Sequence, residues 1–369
     1  MKVLTVFGTR PEAIKMCPLV LELKSRDNIE CVVCVTGQHR SMLDQVLDIF
    51  DVKPDFDLDI MQPRQTITTI TTSVLEKMES VLNEVKPDAV LVHGDTTTSM
   101  AAALASFYRR IPVGHVEAGL RTYSRYSPFP EEMNRKIISA ISTFHFAPTE
   151  GNRAALHREG IADHVYITGN TVIDAFKYTT RDNYVFKNEE LKNHDFSKPT
   201  ILLTAHRREN LGAPLENICS AVNRLCQKHP EIRFIYPVHL NPAVRDIVFP
   251  SLGNNPQVTL IDPVDVEDMH NAIHRSIMVL TDSGGLQEEA PHLGKPVVVL
   301  RTETERPEAV QAGTAVVAGV DEDSIFDITD SLLSNPRSYN KMSHAINPYG
   351  DGFASERIAS ALEYEFIGR

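Results

Sequence analysis

The chain has 369 residues, 42% hydrophobic and 23% charged, which exceeds one small core and predicts two domains of ordinary size. Its formal net charge of −12 argues against a nucleic-acid partner, because phosphate backbones need a basic footprint. No apolar run approaches the length of a membrane span, and the N-terminal run at residues 3–7 is too short for a signal-peptide core.

The first half alternates short β-rich runs with longer helical patterns. KVLTVF (2–7), CVVCV (31–35), DAVLVH (88–93), VGHVE (113–117) and FHFAP (144–148) read as strands. Helical patterns cover 12–24, 41–49, 69–85, 98–109 and 131–141. Several strands lack a polar face, the mark of a parallel sheet covered on both sides. The five cysteines, odd in number and sparse, fit reduced thiols and a cytoplasmic location. Cys31 and Cys34 have redox spacing, but they sit inside an apolar strand rather than at a helix start, and read as small core side chains.

After Gly169 the alternation pauses, and residues 177–199, polar and irregular, read as a linker. It restarts with TILLTA (200–205), RFIYPV (233–238), QVTLI (257–261), SIMVLT (276–281), PVVVL (296–300) and TAVVA (314–318). A last helical pattern, 354–366, is placed to pack back across the first half. The predicted fold class is α/β, with two Rossmann-like, doubly wound parallel-sheet domains facing each other across a cleft. The predicted boundaries are 1–170, 171–352 and a C-terminal helix at 353–369.

The polar clusters fall just after strands: GTRPE, TGQHR, HGDTTTS and EAGLRT in the first half, and HRREN, HLNP, DSGG and RTETERPE in the second. Open parallel sheets bind ligands at the carboxyl ends of their strands. In GTRPEAIKM, Gly8 allows a tight exit from the strand, Pro11 suits a first helical turn, and Arg10 sits beside a helix N-terminus with Lys15 one turn further in. Arg10 and Lys15 there either receive an anion or serve as surface cations, Arg10 pairing with Glu12. In the second half His206, Arg207, Arg208, Arg301 and Arg306 surround a Ser283-Gly284-Gly285 turn that can offer backbone N–H groups to phosphate. Glu288 and Glu289 follow, and a glutamate there suits ribose hydroxyls. In so acidic a chain this concentration of cations points to a pocket for a phosphorylated small molecule.

The first half also carries carboxylates. His93-Gly94-Asp95 and His115-Val116-Glu117 share a His-x-acid layout, and residues two apart on a strand share a face, so each pair could aim inward. Glu131 and Glu132 follow in SPFPEEMNR. A metal site is one reading, weakened by Gly94 breaking the strand and by the lack of a third, helix-borne histidine. Buried, hydrogen-bonded histidines are a second. General acid–base work by several carboxylates in one cleft is a third.

In order along the chain, GTRPEAIKM, TGQHR, HGDTTTS, EAGLRT, PFPEEMNR, TGN, HRREN, PVHLNP, TDSGGLQEEAP and TERPE resemble the motifs of the non-hydrolysing UDP-N-acetylglucosamine 2-epimerases, over residues 3 to about 352. The resemblance implies a GT-B-type fold, a homodimer, no nicotinamide or metal cofactor, and conversion of UDP-GlcNAc to UDP-ManNAc. The implied route eliminates UDP to a 2-acetamidoglucal and adds it back with reprotonation at C2. The resemblance also implies that Asp95, Glu117 and Glu131 form the acid/base set, supported by Lys15, with Arg10 and His206 on the diphosphate. Ser283, Gly284, Gly285 and Glu289 would hold phosphate and ribose, with Arg306 nearby. Gln38, Arg64, Glu131, Arg207 and His239 match positions that hold a second UDP-GlcNAc as activator, although Ser41 is shorter than the polar residue usual at its position. A hydrolysing relative that releases ManNAc, a GT-B glycosyltransferase and a non-catalytic nucleotide-sugar sensor are the alternatives.

Overall fold

The computed structural model describes residues 1–37, 40–62 and 64–368, except the side chains of Arg40 and Ser41. The chain divides into two compact units, Met1–Tyr178 with Tyr349–Arg369, and Thr179–Pro348.

The first unit runs β1 (Lys2–Phe7), α1 (Arg10–Lys24), β2 (Glu30–Val35), α2 (Arg40–Ile49), β3 (Phe56–Asp57), α3 (Ile67–Val85), β4 (Ala89–His93), α4 (Thr97–Tyr108), β5 (Val113–Val116), α5 (Glu131–Ile141), β6 (Phe144–Ala147), α6 (Glu150–Arg158), β7 (Val165–Ile167) and α7 (Thr171–Thr179). Its seven strands are all parallel, in the order β3-β2-β1-β4-β5-β6-β7. Every residue of β4 and β5 is buried, as expected of strands with helices on both faces. One core lies under α1, where Met16, Leu19, Val20 and Leu23 meet Phe7, Val33 and Phe146. The other lies under α3 and α4, around Val74, Met78, Leu4 and Val92. The order reverses between β1 and β4, and such a reversal opens a crevice at the carboxyl ends of the strands.

The second unit contains α8 (Glu189–Lys192), β8 (Thr200–Thr204), α9 (Ala213–Lys228), β9 (Arg233–Pro237), α10 (Pro242–Leu252), β10 (Val258–Ile261), α11 (Val266–Arg275), β11 (Met278–Thr281), α12 (Gly284–Glu289), β12 (Val297–Val299), α13 (Pro307–Ala312), β13 (Ala315–Val317), α14 (Glu322–Ser334) and α15 (Pro336–Ser343). Its six parallel strands run β10-β9-β8-β11-β12-β13, with the reversal between β8 and β11. The last helix, α16 (Ala354–Phe366), belongs to the first unit, where Ile358, Ala359 and Leu362 join the core under α1. Asp174 on α7 holds its start by accepting from Ala354 N (3.1 Å) and Ser355 N (2.8 Å).

The observed division differs from the sequence boundaries for a physical reason. α7 follows residue 170 but packs in the first unit, with Ala175 in the core and Asp174 capping α16. The segment 177–199 is not a linker. Tyr184, Phe186 and Leu191 are buried. Tyr184 Oη and the backbone N–H groups of Lys187 and Asn188 donate to Asp268 on α11, at 2.9, 3.0 and 2.9 Å. Phe186 stacks on Phe196, and Arg275 lies over both rings. The pattern also passed over β3, β7, α6 and α7, of which β3 is two residues long and β7 three. Among the described residues no helix is long and apolar enough to cross a membrane. The five cysteines are free thiols, and burial pushes Cys34 up to about 12.

Candidate active site

The first sheet's crevice is built on one buried carboxylate. Thr9 caps α1, and Glu12 closes a capping box with it. Glu12 Oε2 accepts from Gly8 N (3.0 Å) and Thr9 N (2.8 Å), while Oε1 accepts from Thr96 Oγ1 (2.7 Å) and Ser99 Oγ (2.8 Å). The exit from β1 and the exit from β4, the two strands flanking the reversal, are thereby tied together. Gly8 also passes close to the exit of β2, where a Cβ on it would stand 1.8 Å from Thr36 Oγ1. Arg10, the first residue of α1, is half-buried at this edge.

Glu117 follows β5 with a φ of +63°, a left-handed conformation that costs a non-glycine residue energy and persists where surroundings impose it. Lys15 Nζ lies 2.6 Å from its Oε2. His93 Nε2, at the end of β4, lies 2.6 Å from the same oxygen, off the line of a good hydrogen bond. Burial alone would raise the Glu117 carboxyl, but the Lys15 ammonium and His93 outweigh it and hold it well below the ordinary carboxylate range. Glu117 is therefore a largely buried carboxylate kept ionised. Its Oε1 has no hydrogen-bond partner among the described residues.

Asp95 sits in the β4–α4 turn after Gly94, whose φ is +63°. Its Oδ2 accepts from Arg135 Nε (2.9 Å) and Nη2 (2.5 Å), and its backbone oxygen accepts from Asn134 Nδ2 (2.9 Å). Glu132 supports Arg135 through Nη1 at 3.3 Å and accepts from Thr122 N and Tyr123 N. Glu131 opens α5, and its Oε2 is buried without a partner among the described residues. The two His-x-acid pairs thus do not act as pairs. His93 meets Glu117 across strands, Asp95 turns to Arg135, and His115 Nε2 donates to Gly94 O at 2.7 Å. Burial pushes His115 down to about 3, so it is a neutral donor.

The second sheet repeats the device. Asp282, fully buried after β11, accepts through Oδ2 from His206 N (2.7 Å), Arg207 N (2.7 Å) and Asn210 Nδ2 (3.0 Å). It ties the exits of β8 and β11, again the strands at the reversal. The His206 ring stacks on His239, with centroids 5.2 Å apart and planes within 4°. Desolvation, then His239 and Arg207, hold His206 below its usual value against the opposing pull of Asp282. At the start of α12, a Cβ on Gly284 would lie 3.6 Å from the Arg306 guanidinium and 4.0 Å from that of Arg207, so two cations converge over this glycine. Glu288 does not face outward as a ribose ligand would. It is buried and bonds Arg306 Nε. Glu289 instead lies over Gly285, its Oε1 3.1 Å from where a Cβ would be, and its Oε2 is 3.5 Å from His270 Nε2.

Within the first unit, then, Lys15 and Glu117 are in contact and Asp95 and Glu131 lie on adjoining turns of the same edge. Within the second, His206, Arg207, His239, Ser283, Gly284, Gly285, Glu289 and Arg306 gather at the other. Arg64 is exposed, with a φ of +58°, and Gln38 lies outside the described residues. No group of three or more His, Cys, Asp or Glu side chains that could hold a metal occurs among the described residues. Sequence reasoning passed over Glu12, Arg135 and Asp282 as site residues, and it weighed His93 only as a metal ligand or a buried core histidine. Of the three passed over, only Glu12 carried a local signal, the Thr-x-x-Glu spacing of a capping box.

Two doubly wound sheets, each with cations or carboxylates at its reversal point, define a nucleotide-binding α/β protein of the Rossmann type. Residues 21–363 match the family model described as UDP-N-acetylglucosamine 2-epimerase. A protein of Thermotoga maritima that bears the same family name is 60% identical, over 99% of this chain and 97% of its own. The UDP-N-acetylglucosamine 2-epimerase of Bacillus subtilis is 54% identical, over 99% of this chain and 95% of its own. The crystal structure of UDP-GlcNAc 2-epimerase from Neisseria meningitidis bound to UDP-GlcNAc is 49% identical and matches with a TM-score of 0.88, over 98% of this chain and 99% of that one. The chain belongs to the UDP-N-acetylglucosamine 2-epimerase family.

Proposed function

We propose that the protein interconverts UDP-GlcNAc and UDP-ManNAc by the non-hydrolysing route. The hydrogen on C2, beside an acetamido group, is only weakly acidic, so bare proton removal would be slow. In the proposed reaction a carboxylate takes the C2 proton while the C1–oxygen bond breaks. UDP leaves with the bonding pair, and a C1–C2 double bond forms. UDP then adds back at C1 as a proton returns to the opposite face of C2. Asp95, Glu117 and Glu131 carry the proton transfers, with Lys15 in support. Charge develops on the departing diphosphate, and Arg10, His206 and Arg306 with the Ser283-Gly284-Gly285 turn offset it; Glu289 takes the ribose.

The observation that carries this reading is Glu117, an ionised carboxylate with one bare oxygen, in a chain about half identical to a protein whose crystal structure holds UDP-GlcNAc. We infer further that the enzyme is a cytoplasmic homodimer and that Gln38, Arg64, Glu131, Arg207 and His239 serve a second, activating UDP-GlcNAc. Incubation with UDP-GlcNAc in deuterated water, followed by NMR, tests the reaction. UDP-ManNAc deuterated at C2 is the expected product. Free ManNAc with UDP would instead assign the hydrolysing reaction, and unchanged substrate would point to a transferase or a sensor. With UDP-ManNAc alone, turnover should wait until UDP-GlcNAc is added.

A further inference from the structure

We propose that His93 is a positioning residue for this reaction: with Lys15 it clamps Oε2 of Glu117, so that Oε1 is the atom that exchanges the C2 proton. The inference rests on the epimerase reading and names the working oxygen within it.

Three histidines are buried in strands of the first sheet, His93, His115 and His145. Two hold main-chain carbonyls through Nε2, His115 that of Gly94 at 2.7 Å and His145 that of Ser139 at 3.0 Å, while their Nδ1 atoms are buried without a partner among the described residues. His93 is different. Its Nε2 is buried and without a well-aligned hydrogen bond, and it stands 2.6 Å from a carboxylate oxygen. A core histidine placed only for packing would not be set against a carboxylate held in a strained, left-handed backbone conformation. The register fixes the contact: His93, the last residue of β4, pairs with Val116, so its ring reaches the residue that follows β5.

A glutamate that must take a proton from carbon needs one oxygen at a set position, within hydrogen-bond reach of that proton. Rotation about its last bond would exchange the two oxygens. Lys15 from α1 and His93 from β4 meet the same oxygen, at 2.6 Å each, and so forbid the exchange. His115, two residues before Glu117 on β5, stays neutral through burial, and its Nε2 is committed to Gly94 O.

The test compares His93→Ala and His93→Gln with the wild type, by kcat and KM for UDP-GlcNAc across pH and by 13C NMR titration of the Glu117 carboxyl. His93→Ala should lower kcat by about 10- to 100-fold, the scale of a partner that orients a functional group. KM should stay within about twofold, as expected when ground-state binding is untouched. The acid limb of the kcat profile and the Glu117 titration should both move to higher pH. His93→Gln, whose amide nitrogen can take the place of Nε2, should recover most of kcat. Wild-type kcat with an unmoved acid limb in His93→Ala, or equal losses in the two variants, would overturn the proposal. A wild-type protein inactive on UDP-GlcNAc would sink the epimerase reading instead, and the carboxyl titration, which needs no turnover, would still decide the clamp.

Discussion

Arg135 donates through Nε and Nη2 to a single oxygen of Asp95, at 2.9 and 2.5 Å, from a side chain that is itself nearly buried. The pair joins the β4–α4 turn to the second turn of α5, and it fixes where the Asp95 carboxylate can point. Asp95→Asn keeps the shape and still offers an oxygen to Arg135, but it cannot accept a proton from carbon. Turnover should fall by about 10²-fold or more, the usual worth of a positioned general base. The melting temperature should move by only a few degrees, since Glu132 still supports Arg135. Steady-state kinetics and thermal unfolding check this, and a near-full rate would remove Asp95 from the acid/base set.

Glu12 makes the opposite prediction. It touches no reacting atom in the proposed scheme, yet four donors from two turns converge on it in a buried position. Glu12→Ala would leave the N–H groups of Gly8 and Thr9 without their acceptor, while Ser99 Oγ keeps His93 O and Thr96 Oγ1 keeps Ser99 Oγ, a loss of about 2–4 kcal/mol. Chemical denaturation should show a lower midpoint. Arg10 and Asp95 sit on the two turns that Glu12 joins, so activity should fall as well.

The strands of the second half were legible because they are short, apolar and bounded by polar clusters, and all six lie where the pattern places them. The residue classes at both strand edges were legible too, since glycine turns and cations after strands have few other uses. What the sequence could not show was pairing between strands. His93 and Asp95 look alike in layout to His115 and Glu117, but the parallel register sets His93 against Glu117, and the turn at Gly94 sends Asp95 to Arg135. Asp282 was hidden for the same reason: its partners lie about 75 residues away along the chain, at distances only the fold defines. Residues 177–199 misled because their buried aromatics are interleaved with charges, and the surface they cover, α11 with Asp268 and Arg275, comes much later in the sequence.

His115 gives the protein an acid-sensitive term. Its ordinary value is 6.5, and burial in the fold lowers it to about 3. Between those values the unfolded chain binds a proton that the folded chain refuses, so stability rises with pH there and is lost as pH falls below 6.5. By pH 5 the loss from this group should be on the order of 2 kcal/mol. His115→Gln keeps a donor for Gly94 O and has nothing to titrate. Urea midpoints measured at pH 7 and pH 5 should therefore fall less in this variant than in the wild type. Parallel midpoints would mean that His115 titrates normally in the fold.

Gly284 separates the phosphate reading from a purely structural one. Its conformation is helical, and a methyl group there would meet only ordinary contacts, at 3.6 Å from Arg306 and 4.0 Å from Arg207. Gly284→Ala should thus leave the fold intact, with the small gain in helix propensity that alanine brings. That methyl, however, fills the space under the two guanidiniums where a diphosphate oxygen would approach the backbone N–H groups of the turn. Calorimetric titration with UDP should show affinity reduced by about tenfold or more, roughly the loss of one charge-assisted hydrogen bond. Gly285→Ala should act differently. Its Cβ would press at 3.1 Å on Oε1 of Glu289, the free end of a side chain, which can yield. It should weaken the uridine nucleotide less than Gly284→Ala does, and a reversed order would place the phosphates elsewhere on this edge.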